Sequence, residues 1–203
     1  MFCYLGASVS GVIAAPIESV WGVVSDPTRH PQLAGSGQVR SVEVLGDEPL
    51  KVGSIFVAQQ EIRGIHYVST NRMVIWEPPF RVAWRVGTPF APRGAQIWMF
   101  SMLPDREGTR VENGVVLPYV LPSFFPFRLA HDEFGRREHS AIEPTLDNLA
   151  RMLGVLPPSN LIKNERAPAP LTALLPSPLR QGALWAGGGA ALLWLLTRRG
   201  RCC

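Results

Sequence analysis

The sequence has little cysteine and none of the common nucleotide-binding motifs. Its three cysteines are Cys3, Cys202 and Cys203, a set that excludes both a disulfide framework and a zinc site of regular spacing. No Gly-x-Ser-x-Gly elbow, P-loop or dinucleotide fingerprint occurs, so no cofactor is expected. The chain is 46% hydrophobic and 18% charged, which excludes an intrinsically disordered protein.

Basic charge is also scarce over most of the chain. The net charge of +4 and the pI near 9.3 suggest a basic protein. However, residues 1–150 carry 13 Lys and Arg against 15 Asp and Glu, whereas residues 151–203 carry seven against one. The main body is therefore mildly acidic and lacks the basic stripe that follows a phosphate backbone. A nucleic-acid partner is not expected.

A long uncharged run lies near the C-terminus. Residues 181–197, QGALWAGGGAALLWLLT, contain no charged side chain, and three arginines follow within four residues. As a helix this run would extend about 25 Å, enough for a thin hydrocarbon core. We predict that the tail, residues 181–203, forms a single membrane-anchoring helix with an Arg-rich end. The alternatives are a disordered tail or one that folds back on the body.

The remaining sequence divides into a body and a linker. Residues 157–180 are rich in proline, alanine and leucine, a composition typical of a semi-extended linker. We therefore predict a folded body at residues 1–156. The apolar N-terminus lacks the charged start of a signal peptide, which favours a strand there. Few cysteines favour a reducing compartment, so we expect a cytoplasmic body attached to a membrane through its tail.

The body alternates helical and strand patterns in one order. Pro16 opens a short helix, and a long apolar-faced helix runs from about Leu129 to Gly154, with Pro144 predicting a kink or break. Between them, strand-like runs separated by turn residues cover Val39–Leu45, Ser54–Ile62, His66–Trp76, Phe80–Val86, Ala95–Leu103 and Thr109–Leu117. Short connections predict an antiparallel meander. The fold class is therefore α+β, one sheet curled around one long helix.

Four strings in this order carry a family resemblance. They are IAAPIESVWGVVSDPTRHPQL at 13–33, KVGSIF at 51–56, WEPPFRVAWRV at 76–86 and LPDREGTRVENG at 103–114. Over residues 8–154 the chain resembles the START-like (SRPBCC) superfamily, which includes the polyketide cyclase/dehydrase-type proteins. The resemblance implies the helix-grip fold, with a cavity between the curved sheet and the C-terminal helix. It also implies a lipid, quinone, polyketide or similar ligand, and some members of the superfamily are cyclases.

An enzyme of this type needs an acid or base that faces the cavity. The candidate catalytic residues are His66, Glu61 and Arg72, and none of them carries a specific motif. His66 and Arg72 share a face of one strand because their spacing is even. Parity alone does not decide whether that face is inner or outer. No set of histidines and carboxylates has metal-ligand spacing, so no metal is expected.

Aromatic side chains are the main indication of a ligand. Residues predicted to line the cavity are Trp76, Trp84, Trp98, Phe100, Tyr119, Phe134 and Ile142. An aromatic lining with few polar groups favours a planar or greasy ligand. The segment Leu117–Phe127, LPYVLPSFFPF, is predicted as an apolar loop that gates the cavity, contacts a membrane surface or packs under the helix.

The sequence thus predicts a protein that binds a hydrophobic or amphipathic small molecule, as a membrane-tethered carrier or sensor. One alternative is a polyketide cyclase or dehydratase-type enzyme, which would need His66 or Glu61 inside the cavity. A second alternative is a non-catalytic interaction module at a membrane, which a collapsed cavity would favour.

Overall fold

A computed structural model of the chain describes residues 2–46, 49–89, 91–122 and 124–175. The predicted membrane-anchoring run, residues 181–197, lies outside the described residues. The elements in chain order are β1 (Phe2–Ile13), α1 (Ile17–Val24), a 3-10 turn (Pro27–Arg29), α2 (His30–Leu33), β2 (Val39–Leu45), β3 (Ile55–Ile62), β4 (Ile65–Glu77), β5 (Arg81–Thr88), β6 (Ala91–Asp105), β7 (Gly108–Pro122), α3 (Phe127–Met152), β8 (Ile162–Asn164) and α4 (Ala169–Thr172).

The strands form one antiparallel sheet. Their order is β2-β3-β4-β5-β6-β7-β1-β8, so strands β2 to β7 form a meander and the N-terminal strand closes onto β7. Two-residue turns such as Arg63-Gly64 join neighbouring strands and leave room only for antiparallel pairing. The predicted α+β class and the meander are confirmed.

Helix α3 packs across one face of the sheet, which we call the inner face. Its fully buried residues Ile142, Leu146 and Leu149 join the main hydrophobic core, and this burial stabilises the helix on the sheet. The helix-grip arrangement is therefore confirmed. Pro144 removes one backbone hydrogen bond, yet α3 continues through it as one helix and does not break. The predicted loop Leu117–Phe127 is shorter than expected, since β7 extends to Pro122.

After α3 the chain forms a strap, residues 161–175, around the β1 edge of the sheet. Leu161 packs against the inner core beside Gly11. Strand β8 then pairs with Ser8–Ser10 of β1, and the carbonyl oxygen of Asn164 lies 3.0 Å from Nε2 of His139. Part of the segment expected as a linker, residues 157–180, is therefore bound to the body by backbone pairing.

Beyond β8 the strap covers the outer face of the sheet. Leu171 of α4 is fully buried in a second hydrophobic cluster with Tyr4, Ile75, Ala83, Ile97, Met99 and Val116. A Cβ atom added to Gly114 would lie 2.5 Å from Cγ of Pro168, so glycine is needed at this crossing. The strap thus adds a layer that the resemblance did not imply.

Among the described residues, no helix combines the length and the apolar character that crossing a membrane requires.

Candidate functional site

A cavity of about 660 Å³ lies between the inner face of the sheet and α3. Strands β2 to β7 contribute inward side chains, and α3 contributes residues from Arg137 to Thr145. The segment from His30 to Gln38 forms the remaining wall. Because the curved sheet and the helix diverge here, their side chains do not meet, and space for a ligand remains.

One wall of the cavity is aromatic. The ring of Trp84 lies 6.1 Å from Phe56 and 6.2 Å from Phe100, measured between centroids, and Trp98 lies across the strand pair from Trp84. All four side chains line the cavity. Such rings present large, weakly polar surfaces to a ligand.

A second wall is polar and held by internal hydrogen bonds. The hydroxyl of Tyr67 donates to Oε1 of Gln60 at 2.9 Å, and Nε2 of Gln60 donates to Oγ of Ser69 at 2.6 Å. Nδ2 of Asn71 donates to the carbonyl oxygen of Phe56 at 3.3 Å. Burial raises the pKa of the Tyr67 hydroxyl, which therefore stays protonated. These bonds fix the polar groups in place, which suits orientation of a ligand.

His30 lies at the junction of the aromatic wall and α2. Its ring is 4.7 Å from that of Trp84 and 5.6 Å from that of Phe56, and Nε2 lies 3.4 Å from the carbonyl oxygen of Val24. Burial lowers the pKa of His30 to about 4, although the Val24 carbonyl and Asp26 act in the opposite direction. The imidazole is therefore neutral at physiological pH.

We expect acid to destabilise the protein through His30. Its pKa is about 4 when folded, against 6.5 when free, so between these values the unfolded chain binds a proton that the folded chain does not. The free energy of unfolding should therefore decrease as the pH falls below 6.5, and at pH 5 it should be lower by about 2 kcal/mol. Urea unfolding at pH 7.5 and 5 measures the loss, and a His30→Leu variant should lack this component. An NMR titration of the His30 ring with a midpoint near 6.5 would contradict the prediction.

The predicted catalytic residues do not reach the cavity. His66 and Arg72 share one face of β4, as their parity predicts, but that face is the outer one. Glu61 also points outward and lies 3.9 Å from His66 across the β3–β4 pair. The guanidinium of Arg72 donates to the carbonyl oxygen of Gly53 at 3.3 Å. The structure therefore does not support these three residues as an acid, base or anchor inside the cavity.

Of the seven predicted lining residues, Trp84, Trp98 and Phe100 line the cavity. Trp76 is on the inner face, but its ring packs edge-on against Trp21 at 5.1 Å. The other three residues are absent from the lining: Ile142 is buried in the core, Phe134 packs against that core, and Tyr119 is 51% exposed.

Several cavity residues were missed in the sequence. Tyr67 and Asn71 alternate with His66 and Arg72, so the same parity that places one pair outside places the other inside. The alternation that indicates this is visible in the sequence. His30 is the first residue of α2, directly after the 3-10 turn, and a four-residue helix has no periodicity that indicates which way a side chain points.

The aromatic segment before α3 is exposed and separate from the cavity. Phe124 and Phe125 are 59% and 75% exposed, and no described side chain of Leu117–Phe127 lines the cavity. The predicted gate is therefore not supported for these side chains. Within the described ranges, no group of three or more His, Cys, Asp and Glu side chains is arranged to hold a metal ion.

A second concavity of about 580 Å³ lies beside the cavity at the surface. Ser36, Gln38, Ile62 and Arg137 line both spaces and so form the boundary between them. We call this boundary the mouth. Arg40, Glu61 and Arg63 also line the outer concavity, so the approach to the cavity is more strongly charged than its interior.

Comparison with known proteins agrees with this architecture. Residues 6–154 match the family described as "Polyketide cyclase / dehydrase and lipid transport". The uncharacterized protein Rv0088 of Mycobacterium tuberculosis is 36% identical over 72 residues, which are 36% of this chain and 32% of that protein. The chain therefore matches about a third of this relative's length.

Solved structures show the same fold at low identity. Protein NE0264 of Nitrosomonas europaea is 17% identical, with a TM-score of 0.55 over 74% of this chain and 94% of that chain. A Rhodobacter sphaeroides protein is also 17% identical, with a TM-score of 0.53 over 76% of this chain and 98% of that chain. At this identity the likeness concerns the fold alone.

Proposed function

The chain belongs to the polyketide cyclase/dehydrase and lipid transport family, and we propose that it binds a hydrophobic or amphipathic small molecule as a carrier or sensor. The ligand, a lipid, quinone or polyketide-like compound, occupies the cavity between the sheet and α3. The observation that carries this proposal is the cavity itself, with a volume of about 660 Å³ and an aromatic wall. Small-molecule sites typically enclose about 300–1,000 Å³ and have mainly apolar walls with a few placed polar groups.

Ligand binding is the function that the cavity supports best. A cyclase or dehydratase needs an acid or base beside the substrate, and the residues predicted for that role, His66, Glu61 and Arg72, point away from the cavity, although His30, Tyr67 and Glu138 line it. A pure interaction module would have a collapsed core, whereas here a ligand-sized space remains. The fixed polar wall of Gln60, Tyr67 and Asn71 is suited to orienting a ligand.

Native mass spectrometry of the full chain with lipid identification tests this proposal directly. We expect protein purified from cells to carry a co-purifying apolar molecule, and ligand-free protein to bind an apolar fluorophore. Absence of both would overturn the proposal.

The proposal includes tethering of the carrier to a membrane through residues 181–197. Two features support it: the uncharged run itself and the exposed aromatic side chains Phe124 and Phe125, since exposed apolar patches commonly mark contact surfaces. A tether would keep a lipid-exchanging domain close to its lipid source.

We expect the full chain to float with phospholipid vesicles in a density gradient and a chain ending at Leu175 to float much less. The shorter chain keeps every described element, so circular dichroism should show that it is folded. Equal flotation of both chains would assign membrane binding to the body, and flotation of neither would overturn the tether.

A further inference from the structure

We propose that the ligand carries an anionic head, a carboxylate or a phosphate, which arginine side chains bind at the mouth while its apolar part occupies the cavity. This inference rests on the proposed function and deepens it, because it specifies the ligand class. Three observations carry it: the position of the arginines, the absence of an ion pair for two of them among the described residues, and the backbone conformation of one of them.

The arginines lie where a head group would lie. Arg40 of β2, Arg63 of the β3–β4 turn and Arg137 of α3 line the outer concavity. Arg137 also lines the cavity itself, and Ile62 bounds both spaces. Three separate elements therefore direct a guanidinium to the same opening.

Charge at the mouth is only partly neutralised within the chain. Glu61, which also contacts His66 at 3.9 Å, accepts from Arg40 at 3.2 Å. Among the described residues, Arg63 and Arg137 form no ion pair. These two guanidinium groups can therefore approach an anion, for which the planar, multi-donor group is well suited, although the charge of Arg137 also interacts with Glu138.

Glu138 is the acidic group that lines the cavity near Arg137. Burial raises the pKa of its carboxyl group, although Arg137 and His139 oppose the shift. Burial thus disfavours the charged form of this carboxyl group, despite the neighbouring arginine.

Arg63 has an unusual backbone conformation for its residue type. Its φ is +52°, and Gly64 follows with φ +80° in the two-residue turn between β3 and β4. Asn, Asp or Gly is usual at the first position of such a turn, because glycine has no Cβ atom to be strained there and Asn and Asp offset the strain by local hydrogen bonds. A long cationic side chain at this point is therefore better explained by a role at the mouth than by the needs of the turn.

The combination fits an amphipathic acid. An anion inside the aromatic cavity would lose its hydration without compensation, whereas at the mouth it keeps solvent on one side and meets two arginines. The apolar part of the same molecule then contacts Trp84, Phe56 and Phe100.

The test compares cis-parinaric acid, a fluorescent fatty acid, with its neutral methyl ester on the full chain. We expect the acid to bind more tightly than the ester. Arg137→Gln and Arg63→Gln should each weaken binding of the acid about tenfold, since a hydrogen bond to a charged group is lost. Their affinity for the ester should change less than about twofold.

Arg106→Gln is the matched control, because Arg106 lies exposed in the β6–β7 turn and lines neither space. It should change neither affinity. Competition then separates the head groups: oleate and a lysophosphatidate distinguish carboxylate from phosphate. Inorganic phosphate alone should not displace the probe if the apolar part is required for binding.

The outcomes separate the two proposals. If neither probe binds, the proposed function fails. If acid and ester bind equally and the arginine variants match the parent chain, the anionic head is overturned while ligand binding stands. If a variant misfolds and therefore binds neither probe, the parent chain alone tests the anionic head. Its affinity for the acid should fall with ionic strength, and a salt-independent affinity would overturn the inference.

Discussion

Replacing Ala58 by phenylalanine should abolish binding of an apolar ligand without unfolding the protein. Ala58 is 3% exposed on the inner face of β3, between Phe56 and Gln60, and its side chain lines the cavity. Its cross-strand neighbours are Val42 and Ser69. A phenyl ring added at this point would occupy space that the ligand needs. Phenylalanine is also a favourable strand residue, so the sheet should accept it.

We expect affinity for parinaric methyl ester to fall by at least about 100-fold, equivalent to about 2.7 kcal/mol. Titration of the fluorescent ester measures this loss, and native mass spectrometry should show that the co-purifying molecule is absent. Val57→Phe is the control, since Val57 lies on the same strand but on the opposite face. If Ala58→Phe binds as the parent chain does, the ligand lies outside this cavity.

Replacing Leu171 by alanine should lower the free energy of unfolding by about 2–5 kcal/mol, the range for a fully buried leucine. Leu171 is 0% exposed and joins the outer-face cluster with Tyr4, Ile97 and Val116. The truncation leaves a void between the strap and the sheet. Stability of the whole domain should therefore depend on a residue well beyond the matched family region, which ends at residue 154.

Urea unfolding followed by circular dichroism measures the effect, with Leu156→Ala as the control. Leu156 is 86% exposed, so its truncation should change stability by less than about 0.5 kcal/mol. If the two variants prove equally stable, the strap does not contribute to folding of the sheet.

Period-2 patterning was sufficient to predict much of the sheet and part of the cavity. Val82, Trp84 and Val86 alternate without interruption, and this run lies on the inner face of β5 as the pattern indicates. The same parity places Trp98 and Phe100 on the facing strand.

Parity failed where the pairing register shifts. Strand β4 has an irregularity in its pairing with β5 between Met73 and Ile75. Residues beyond this point therefore change faces: Ile75 joins the outer cluster, and Trp76 points inward. The ring of Trp76 then packs against Trp21 instead of the ligand space. Local sequence carries no signal for such a shift, because a bulge is decided by pairing with the neighbouring strand.

The sequence does not predict the strap either. Proline-rich composition resembles a linker, and its short β8 strand has no periodicity of its own. Its packing depends on small residues more than fifty positions away, such as Gly114 beneath Pro168. Only the folded sheet brings these partners together.

The course of the strap also determines the side of the sheet from which the chain continues beyond residue 175. Leu175, the last described residue, packs on the outer face, whereas Arg137 and Ile62 mark the mouth on the side of α3. Any attachment made downstream of residue 175, whether to a bilayer or to a sensor chip, therefore starts from the far side of the sheet. If both the proposed ligand and the proposed tether are correct, loading at the mouth and attachment beyond residue 175 would not compete for the same surface.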